Sequence, residues 1–381
     1  MDEPRIEADW LHAAASKAVL EALGPSNARF VGGAVRDSLL GRPVTDIDLA
    51  TPLRPEEVIR RLEAAGLKAV PVGIEHGTVT AVAHGEPFQI TTLRRDVETY
   101  GRHARVAFTD DWKADAARRD FTMNALYADH EGRISDYFGG TPDALAGRVR
   151  FIGDAQDRIT EDALRILRFF RFHAHYGRGA MDAAGLDACR RTCALLDLLS
   201  MERVRDELLR LLGAPDPVPT LRAMQETGVL AHILPEARDL SRFEELVRRE
   251  RRLGTSDPLR RLAALLPPRK DVFDAESVRL KLSNAERKRL LAMAGAPPDY
   301  EPHALRAEAY RLGNQAVIDR LLLAGDNRGC DGSGSPLGQA ITLLEGWTPP
   351  RFPVGGRDLR QAGLPPGPEL GRRLAELERR W

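Results

Sequence analysis

The sequence has little cysteine and no long apolar run. Its three cysteines, Cys189, Cys193 and Cys330, are too few and too scattered for a disulfide framework, and the first two lack the neighbouring ligands of a zinc site. No apolar segment reaches the roughly 18 residues that a membrane-spanning helix needs, and the first residues are acidic where a secretory signal would be basic and then apolar. We therefore expect a folded cytoplasmic protein with no membrane partner.

Net charge is also lacking. The 56 basic and 56 acidic side chains give a formal net charge of zero, which excludes a general attraction to polyanions, so any contact with nucleic acid must come from local patches. Only six of the basic side chains are lysines. The remainder are arginines, which suit bidentate contacts to phosphates and base edges, although a GC-rich genome explains the same bias.

The pattern of apolar residues changes near residue 140. Before it, ARFVGG and TDIDLAT each predict a short strand, and segments 77–83 and 86–92 predict a hairpin that turns at His84-Gly85. After residue 155, apolar residues recur at three- and four-residue steps between Pro/Gly-rich breaks, which predicts helices only. The chain is therefore predicted to be α+β, with a small mixed β-sheet near the N-terminus followed by an all-α region.

Two acids and two glycines lie close together in FVGGAVRDSLLGRPVTDIDLAT, residues 30–51. On a strand, Asp46 and Asp48 would present their carboxylates to one point, which is costly unless a cation lies between them, and Mg²⁺ suits such oxygen ligands. A pair of helix-capping acids is the alternative. Gly32 and Gly33 let the backbone approach an anion closely, and Arg36 adds a positive charge. The combination predicts a phosphoryl-transfer site, although no P-loop motif occurs.

This segment resembles the signature of the nucleotidyltransferase superfamily, specifically of class II tRNA nucleotidyltransferases (CCA-adding enzymes) and the related bacterial poly(A) polymerases. Four further blocks carry the resemblance: FQITTLRRD, RRDFTMNAL, EDALRILRFFRF and ERVRDELLRLL. The resemblance implies a nucleotidyltransferase catalytic head over residues 1–140 and a helical neck with a nucleotide-recognition motif over 141–215. A helical body over 216–300 and a helical, tRNA-binding tail over 301–381 would follow.

The resemblance also implies an activity, the template-independent addition of CCA to the 3′ end of tRNA from CTP and ATP, with release of diphosphate. Asp46 and Asp48 would be the catalytic residues and would hold Mg²⁺. The implied nucleotide-binding residues are Gly32, Gly33, Arg36, Arg118, Arg119, Asp120, Asp162, Arg165 and Arg168. The alternatives are a poly(A) polymerase, an enzyme of the same family that adds only CC or only A, and a noncatalytic RNA-binding protein.

Base selection is expected from EDALRILRFF. On one helix, Asp162, Arg165 and Arg168 would share a face, and a surface ion pair of Arg165 with Glu161 or with Asp162 is the alternative. By the resemblance, Asp162 and Arg165 act as a protein template. Cytosine and adenine both present an amino donor beside a ring-nitrogen acceptor, whereas uracil and guanine present the opposite polarity. Asp162 would accept from the amine and Arg165 would donate to the ring nitrogen.

Two segments depart from the family pattern or extend it. Gln89 stands where the family usually has a third carboxylate, which puts the second metal or the general base in doubt. Residues 94–115 resemble the flexible loop that full CCA-adding enzymes need to switch from C to A. In the helical region, scattered arginines fit phosphate contacts, and a solvated helix face explains them equally well. These arginines include Arg248, Arg249, Arg251, Arg252, Arg287 and Arg289.

Overall fold

The computed structural model of the chain describes residues 4–100, 103–296, 298–325 and 334–380. Its strands are β1 (Arg29–Val31), β2 (Ile47–Thr51), β3 (Lys68–Val70), β4 (Thr78–Ala83), β5 (Glu86–Thr92), β6 (Arg94–Tyr100), β7 (His103–Phe108), β8 (Leu126–Ala128) and β9 (Ile134–Asp136). Seven of them form one mixed sheet in the order β3-β4-β5-β2-β1-β8-β9, in which only β2 and β5 are parallel. The predicted small mixed sheet is confirmed.

Local chemistry explains the hairpin of β4 and β5. Both turn residues, His84 and Gly85, have positive φ angles of 50° and 86°, which is the conformation of a two-residue turn that follows the twist of antiparallel strands. The strands alternate buried and exposed positions, with Val79, Ala81 and Ile90 in the core of the head. The register of β5 against β2 follows from this alternation, because a slip by one residue would expose the apolar side chains.

The segment expected to be a flexible loop is largely a two-stranded antiparallel ribbon, β6 and β7, with residues 101 and 102 outside the described part of the chain. Its base is packed against the head. A Cβ atom on Gly77, whose φ is +78°, would lie 2.6 Å from the ring of Phe108, and the Arg54 guanidinium lies 4.8 Å from the centre of the same ring. The ribbon is therefore anchored where it leaves the sheet.

Helices cover the head and form the rest of the described chain. Those of the head are α1 (Asp9–His12), α2 (Ala14–Leu23), α3 (Gly33–Leu39), α4 (Pro55–Ala64) and α5 (Trp112–Ala117). The others are α6 (Gly140–Ala146), α7 (Ala155–Glu161), α8 (Leu164–Tyr176), α9 (Ala183–Thr192), α10 (Met201–Leu212), α11 (Val218–Glu226), α12 (Val229–Ile233), α13 (Ser241–Leu253), α14 (Pro258–Leu265), α15 (Lys270–Arg279), α16 (Asn284–Ala292), α17 (Pro302–Leu312), α18 (Asn314–Ala324), α19 (Pro336–Glu345), α20 (Gly356–Gln361) and α21 (Pro368–Arg380). The α+β prediction is confirmed.

One continuous apolar core runs through the helical region and reaches back into the head. It extends from Phe121 and Met123 to Leu344. The ring of Phe121 lies 5.0 Å from that of Phe151 and 5.1 Å from that of Phe172, between centres. Because the side chains that follow RRD are buried among helices, this end of the head is held against α8. No helix in the described ranges is both long and apolar enough to span a bilayer.

Candidate active site

A cavity of about 650 Å³ lies between the sheet and the first helices of the helical region. It is lined by Gly32, Gly33, Arg36, Asp48, Arg94, Arg118, Arg119, Asp120, Asn124, Asp162, Arg165, Arg168 and Phe172. Every residue expected at the site except Asp46 is in this lining. Six arginines face three aspartates, so the lining carries a net positive charge in a protein whose total charge is zero. Such a surface suits a polyphosphate.

The two expected metal ligands differ in their surroundings. β2 begins at Ile47, so Asp46 precedes the strand and is exposed, whereas Asp48 lies on the strand and is half-buried. Burial raises the pKa of Asp48 and so does the charge of Asp46, while Arg119 opposes them. No hydrogen bond or ion pair reaches the Asp48 carboxylate from the described residues. A carboxylate left without a partner beside a second acid fits a divalent cation.

Gln89 lies beside Asp48. It is the direct register partner of Asp48 in the parallel pair of β2 and β5, so both side chains lie on the same face of the sheet. Gln89 is exposed. Within the described ranges, no group of three or more His, Cys, Asp or Glu side chains could hold a metal ion. The position expected to carry a third carboxylate therefore lies at the site and supplies a neutral amide.

The two glycines and Arg36 lie at the start of α3. Gly32 has φ 71° and ψ −120°, a conformation that only glycine adopts easily, and no side chain separates its backbone from the cavity. Arg36 is 6% exposed and is already well bonded. Its Nη1 donates to Asn124 Oδ1 at 2.6 Å, and its Nη2 donates to Tyr176 Oη at 2.7 Å. Arg36 thus joins the head to α8 as well as lining the cavity.

Arg118 and Arg119 are anchored on one side by a buried acid. Asp115 is 1% exposed and accepts from Arg118 Nε at 2.9 Å, from Arg119 Nη2 at 3.2 Å and from Tyr127 Oη at 2.7 Å. Burial alone would raise the pKa of Asp115, but the two guanidinium groups hold it below its usual value. The anchored sides fix both side chains, and their remaining donors are left for a ligand in the cavity.

Asp120 and Arg168, both expected to bind nucleotide, bind each other. Arg168 donates from Nε at 2.8 Å and from Nη2 at 2.5 Å to Asp120 Oδ2. Asn124 Nδ2 and the Phe121 N–H donate to the other oxygen of Asp120, at 2.9 Å and 2.8 Å. Arg168 lowers the pKa of Asp120 against the effect of burial. This pair joins the head to α8.

Asp162 and Arg165 both reach the cavity, but not from one helix. The expectation of a single helical face is wrong, because α7 ends at Glu161 and Asp162 is extended, with φ −152°. The Asp162 Oδ1 atom accepts from the Leu164 N–H at 3.1 Å, which starts α8. Arg165 Nη1 donates to the Arg158 carbonyl at 2.7 Å and to the Glu161 carboxylate. Of the two ion pairs considered as the alternative, Glu161–Arg165 is present beside the cavity, whereas the Asp162 carboxylate pairs with Arg203.

Comparison with known proteins identifies the family. Residues 28–150 match the model described as the poly A polymerase head domain, and residues 180–240 match one described as a probable RNA and SrmB-binding site of polymerase A. The mitochondrial CCA tRNA nucleotidyltransferase 1 of Danio rerio is 36% identical over 93% of this chain and 83% of its own length. This chain belongs to the CCA tRNA nucleotidyltransferase family.

Bacterial relatives support the same family assignment. The Geobacillus stearothermophilus CCA-adding enzyme is 41% identical over 54% of this chain and 50% of its own length. The crystal structure of the Bacillus stearothermophilus CCA-adding enzyme in complex with CTP matches with a TM-score of 0.74 and 29% identity, covering 95% of this chain and 91% of the other. Nucleotidyltransferases of this family generally use divalent metal ions.

Several residues of the site were not expected from the sequence. Asn124 and Phe172 line the cavity, Arg158 contacts Arg165, and Arg203 contacts Asp162. All four lie in or beside the sequence blocks that resemble the family, and this position was the only sequence feature that could have pointed to them. Conversely, most of the scattered arginines are used inside the helical region. Arg249 is buried and donates to a carbonyl group, and Arg251, Arg287 and Arg289 pair with aspartates.

Proposed function

We propose that this protein adds CCA to the 3′ end of tRNA, using CTP and ATP and releasing diphosphate. The observation that carries this proposal is the convergence of Asp48, the anchored arginines and the Asp162/Arg165 pair on one cavity large enough for a nucleotide. Membership of the CCA tRNA nucleotidyltransferase family supports CCA addition rather than poly(A) synthesis, because those relatives match over almost the whole chain.

The head would supply the chemistry of transfer. Asp48 and Asp46 would hold Mg²⁺, which when bound supplies activation of the attacking hydroxyl group and neutralises charge on the phosphates. Arg118 and Arg119 bind the phosphates with the donors that Asp115 leaves free. Gly32 and Gly33 admit the phosphates close to the backbone at the start of α3. The positively charged lining thereby stabilises the negative charge that develops on the leaving diphosphate.

Asp162 and Arg165 would select the base. Asp162 accepts from the exocyclic amine of cytosine or adenine, and Arg165 donates to the neighbouring ring nitrogen. Uracil and guanine present the opposite polarity, so neither side chain would form its hydrogen bond to the base. A good bidentate contact of this kind discriminates by about 1 to 3 kcal/mol, roughly 5- to 150-fold, so further fidelity would come from closure of the head on the helices.

We propose the division into head (1–140), neck (141–215), body (216–300) and tail (301–381), with tRNA contacts in the tail. A cavity of about 440 Å³ there is lined by Pro302, His303, Arg306, Ala307, Tyr310, Arg311, Trp347, Pro350 and Glu378. Tyr310 Oη donates to Glu378 at 2.6 Å. Among the described residues, Arg306 and Arg311 have no acidic partner. Aromatic rings beside unpaired arginines suit a stacked base and its phosphate.

The experiment is primer extension on tRNA that ends before CC, with each nucleotide alone and in pairs. We expect two additions with CTP, a third when ATP is also present, and none with either mixture for Asp48→Asn. Asp9→Asn, a change at an exposed acid of the head that lies outside the cavity and outside residues 94–115, serves as the matched control and should retain full activity. A long A tail from ATP alone would instead identify a poly(A) polymerase, and nucleotide binding without turnover would identify a noncatalytic protein.

We also propose a cytoplasmic location. Vertebrate relatives carry the word mitochondrial in their names, so fractionation of the source cells is the appropriate test.

A further inference from the structure

Asp162 lies between two cavities. It lines the nucleotide cavity of about 650 Å³ and also a second one of about 470 Å³, whose lining includes Leu195, Leu198 and Arg203. The backbone at Asp162 is extended and belongs to neither α7 nor α8. A short side chain in such a place has space on both sides. Its direction must therefore be set by specific contacts rather than by packing.

One of those contacts comes from α10. Arg203 Nη2 lies 2.8 Å from Asp162 Oδ2, with 29% of the Arg203 side chain and 27% of the Asp162 side chain exposed. Arg203 lines the second cavity but not the first. It therefore contacts the carboxylate from the side away from the nucleotide. The Leu164 N–H holds the other oxygen, Oδ1, at 3.1 Å.

We propose that Arg203 is a positioning residue for base selection, which fixes Asp162 so that its remaining acceptor sites face the incoming base. This rests on the proposed function. A carboxylate offers about four acceptor sites, and the two contacts use two of them. Because each contact holds a different oxygen, rotation of the carboxylate is opposed, and the free sites keep one direction. Without Arg203, the carboxylate can turn into the second cavity.

The other base-selecting residue has a separate support. Arg165 is held by Glu161 and by the Arg158 carbonyl, and Arg158 itself donates from Nη1 to Glu161 at 2.5 Å and from Nη2 to the Arg119 carbonyl at 2.9 Å. Arg165, the proposed donor to the base, is thus held by contacts that lead to the head, and Asp162, the proposed acceptor, is held by a contact from α10. Loss of Arg203 should weaken the acceptor alone, which changes the ratio between nucleotides rather than all rates equally.

The test uses the full-length protein with the variants Arg203→Ala, Arg203→Gln and Arg203→Lys. Arg205→Ala is the matched control, since Arg205 lies on the same helix and pairs with Asp206 and the Lys281 carbonyl outside the cavity. We expect Arg203→Ala to reduce the ratio of kcat/KM for CTP to that for UTP by about tenfold, within the range of one base contact. Arg203→Lys should restore part of the ratio, and Arg205→Ala should leave it unchanged.

Equal losses for CTP and UTP, or an unchanged ratio in an active variant, would overturn the inference, because an ion pair that only stabilises the fold cannot alter nucleotide preference. If Arg203→Ala does not fold, the ratio for Arg203→Gln decides the question in the same way, because its side chain is shorter and uncharged but still fills part of the space with a polar group. Inactivity of the wild-type protein with CTP is a different result, and it would refute the proposed function itself.

Discussion

The pair of Asp120 and Arg168 offers a quantitative test of how the head is joined to the helices. Asp120 is 9% exposed and accepts four hydrogen bonds, two of them from Arg168, whose side chain is 32% exposed. Breaking a fully buried ion pair costs about 3 to 5 kcal/mol, whereas an exposed pair is worth less than about 1 kcal/mol. Because one member is buried and the other partly solvated, we expect Asp120→Ala to lower the free energy of unfolding by about 3 kcal/mol.

A double-mutant cycle isolates the pair. We expect a coupling free energy of about 2 kcal/mol between Asp120→Ala and Arg168→Ala, since hydrogen bonds to charged groups contribute about 1.5 to 3 kcal/mol. Urea unfolding of the four proteins, followed by circular dichroism and tryptophan fluorescence, gives the value if the two probes coincide. A coupling below about 0.5 kcal/mol would refute this account and would leave Arg168 free to bind the nucleotide, as the family resemblance first implied.

The loss of stability at acidic pH provides a second measurement on Asp120. Its folded-state pKa lies below the unfolded value of about 3.9, since Arg168 outweighs burial. The ionised carboxylate therefore stabilises the fold above about pH 4, and the stabilisation is lost as pH falls through the folded-state pKa. We expect Asp120→Asn to be clearly less stable than wild type at pH 7 and to approach it below pH ~4. A difference that stays constant with pH would contradict the assignment.

Further predictions concern the other parts of the site. Gln89→Glu should raise turnover at low Mg²⁺ by adding a carboxylate beside Asp48, and an equal or lower rate in a metal titration would contradict this. Arg165→Ala should raise UTP or GTP misincorporation relative to CTP, and unaltered preference would oppose the template. Removing residues 98–105 should spare CC addition and stop A addition, whereas equal loss of both would indicate misfolding. Trp347→Ala should weaken tRNA binding about tenfold in a filter assay, because stacking of a base on an aromatic ring contributes about 1 to 3 kcal/mol. The KM for CTP should not change, and unweakened binding would exclude the tail cavity as a tRNA contact.

The parts of the fold that local chemistry determines were predictable from the sequence. The hairpin of β4 and β5 follows from β-branched residues on either side of His84-Gly85, and both turn residues take the positive φ angles that this turn requires. β1 follows from a short apolar run that ends at Gly32, and β2 from a short run of mostly apolar residues that begins after Asp46 and contains Asp48. The family blocks, in turn, marked nearly every residue that lines the nucleotide cavity.

The break at Asp162 was not predicted, because helical periodicity continues on both sides of it. Two contacts that apolar periodicity does not reveal determine the structure there. Asp162 binds the Leu164 N–H, which starts a new helix, and Arg203 from α10 holds the carboxylate, although it lies 41 residues away in the chain. Periodicity gives the buried face of a helix, but a side chain that competes with the helical backbone can end it.

The roles of the arginines depend on partners that are distant in sequence, and this explains how a neutral protein can bind RNA. In the helical core, Arg260 Nη1 lies 2.9 Å from Asp319 Oδ1, and Arg289 Nε lies 2.8 Å from Asp319 Oδ2. Glu250, also buried, pairs with Arg260 at 2.8 Å. Acids thus neutralise these structural arginines in place, whereas six arginines face three aspartates in the nucleotide cavity, and Arg306 and Arg311 have no acidic partner among the described residues. The number of counterions released on RNA binding should reflect these few unpaired arginines, so the salt dependence should be far shallower than the arginine content of the chain suggests.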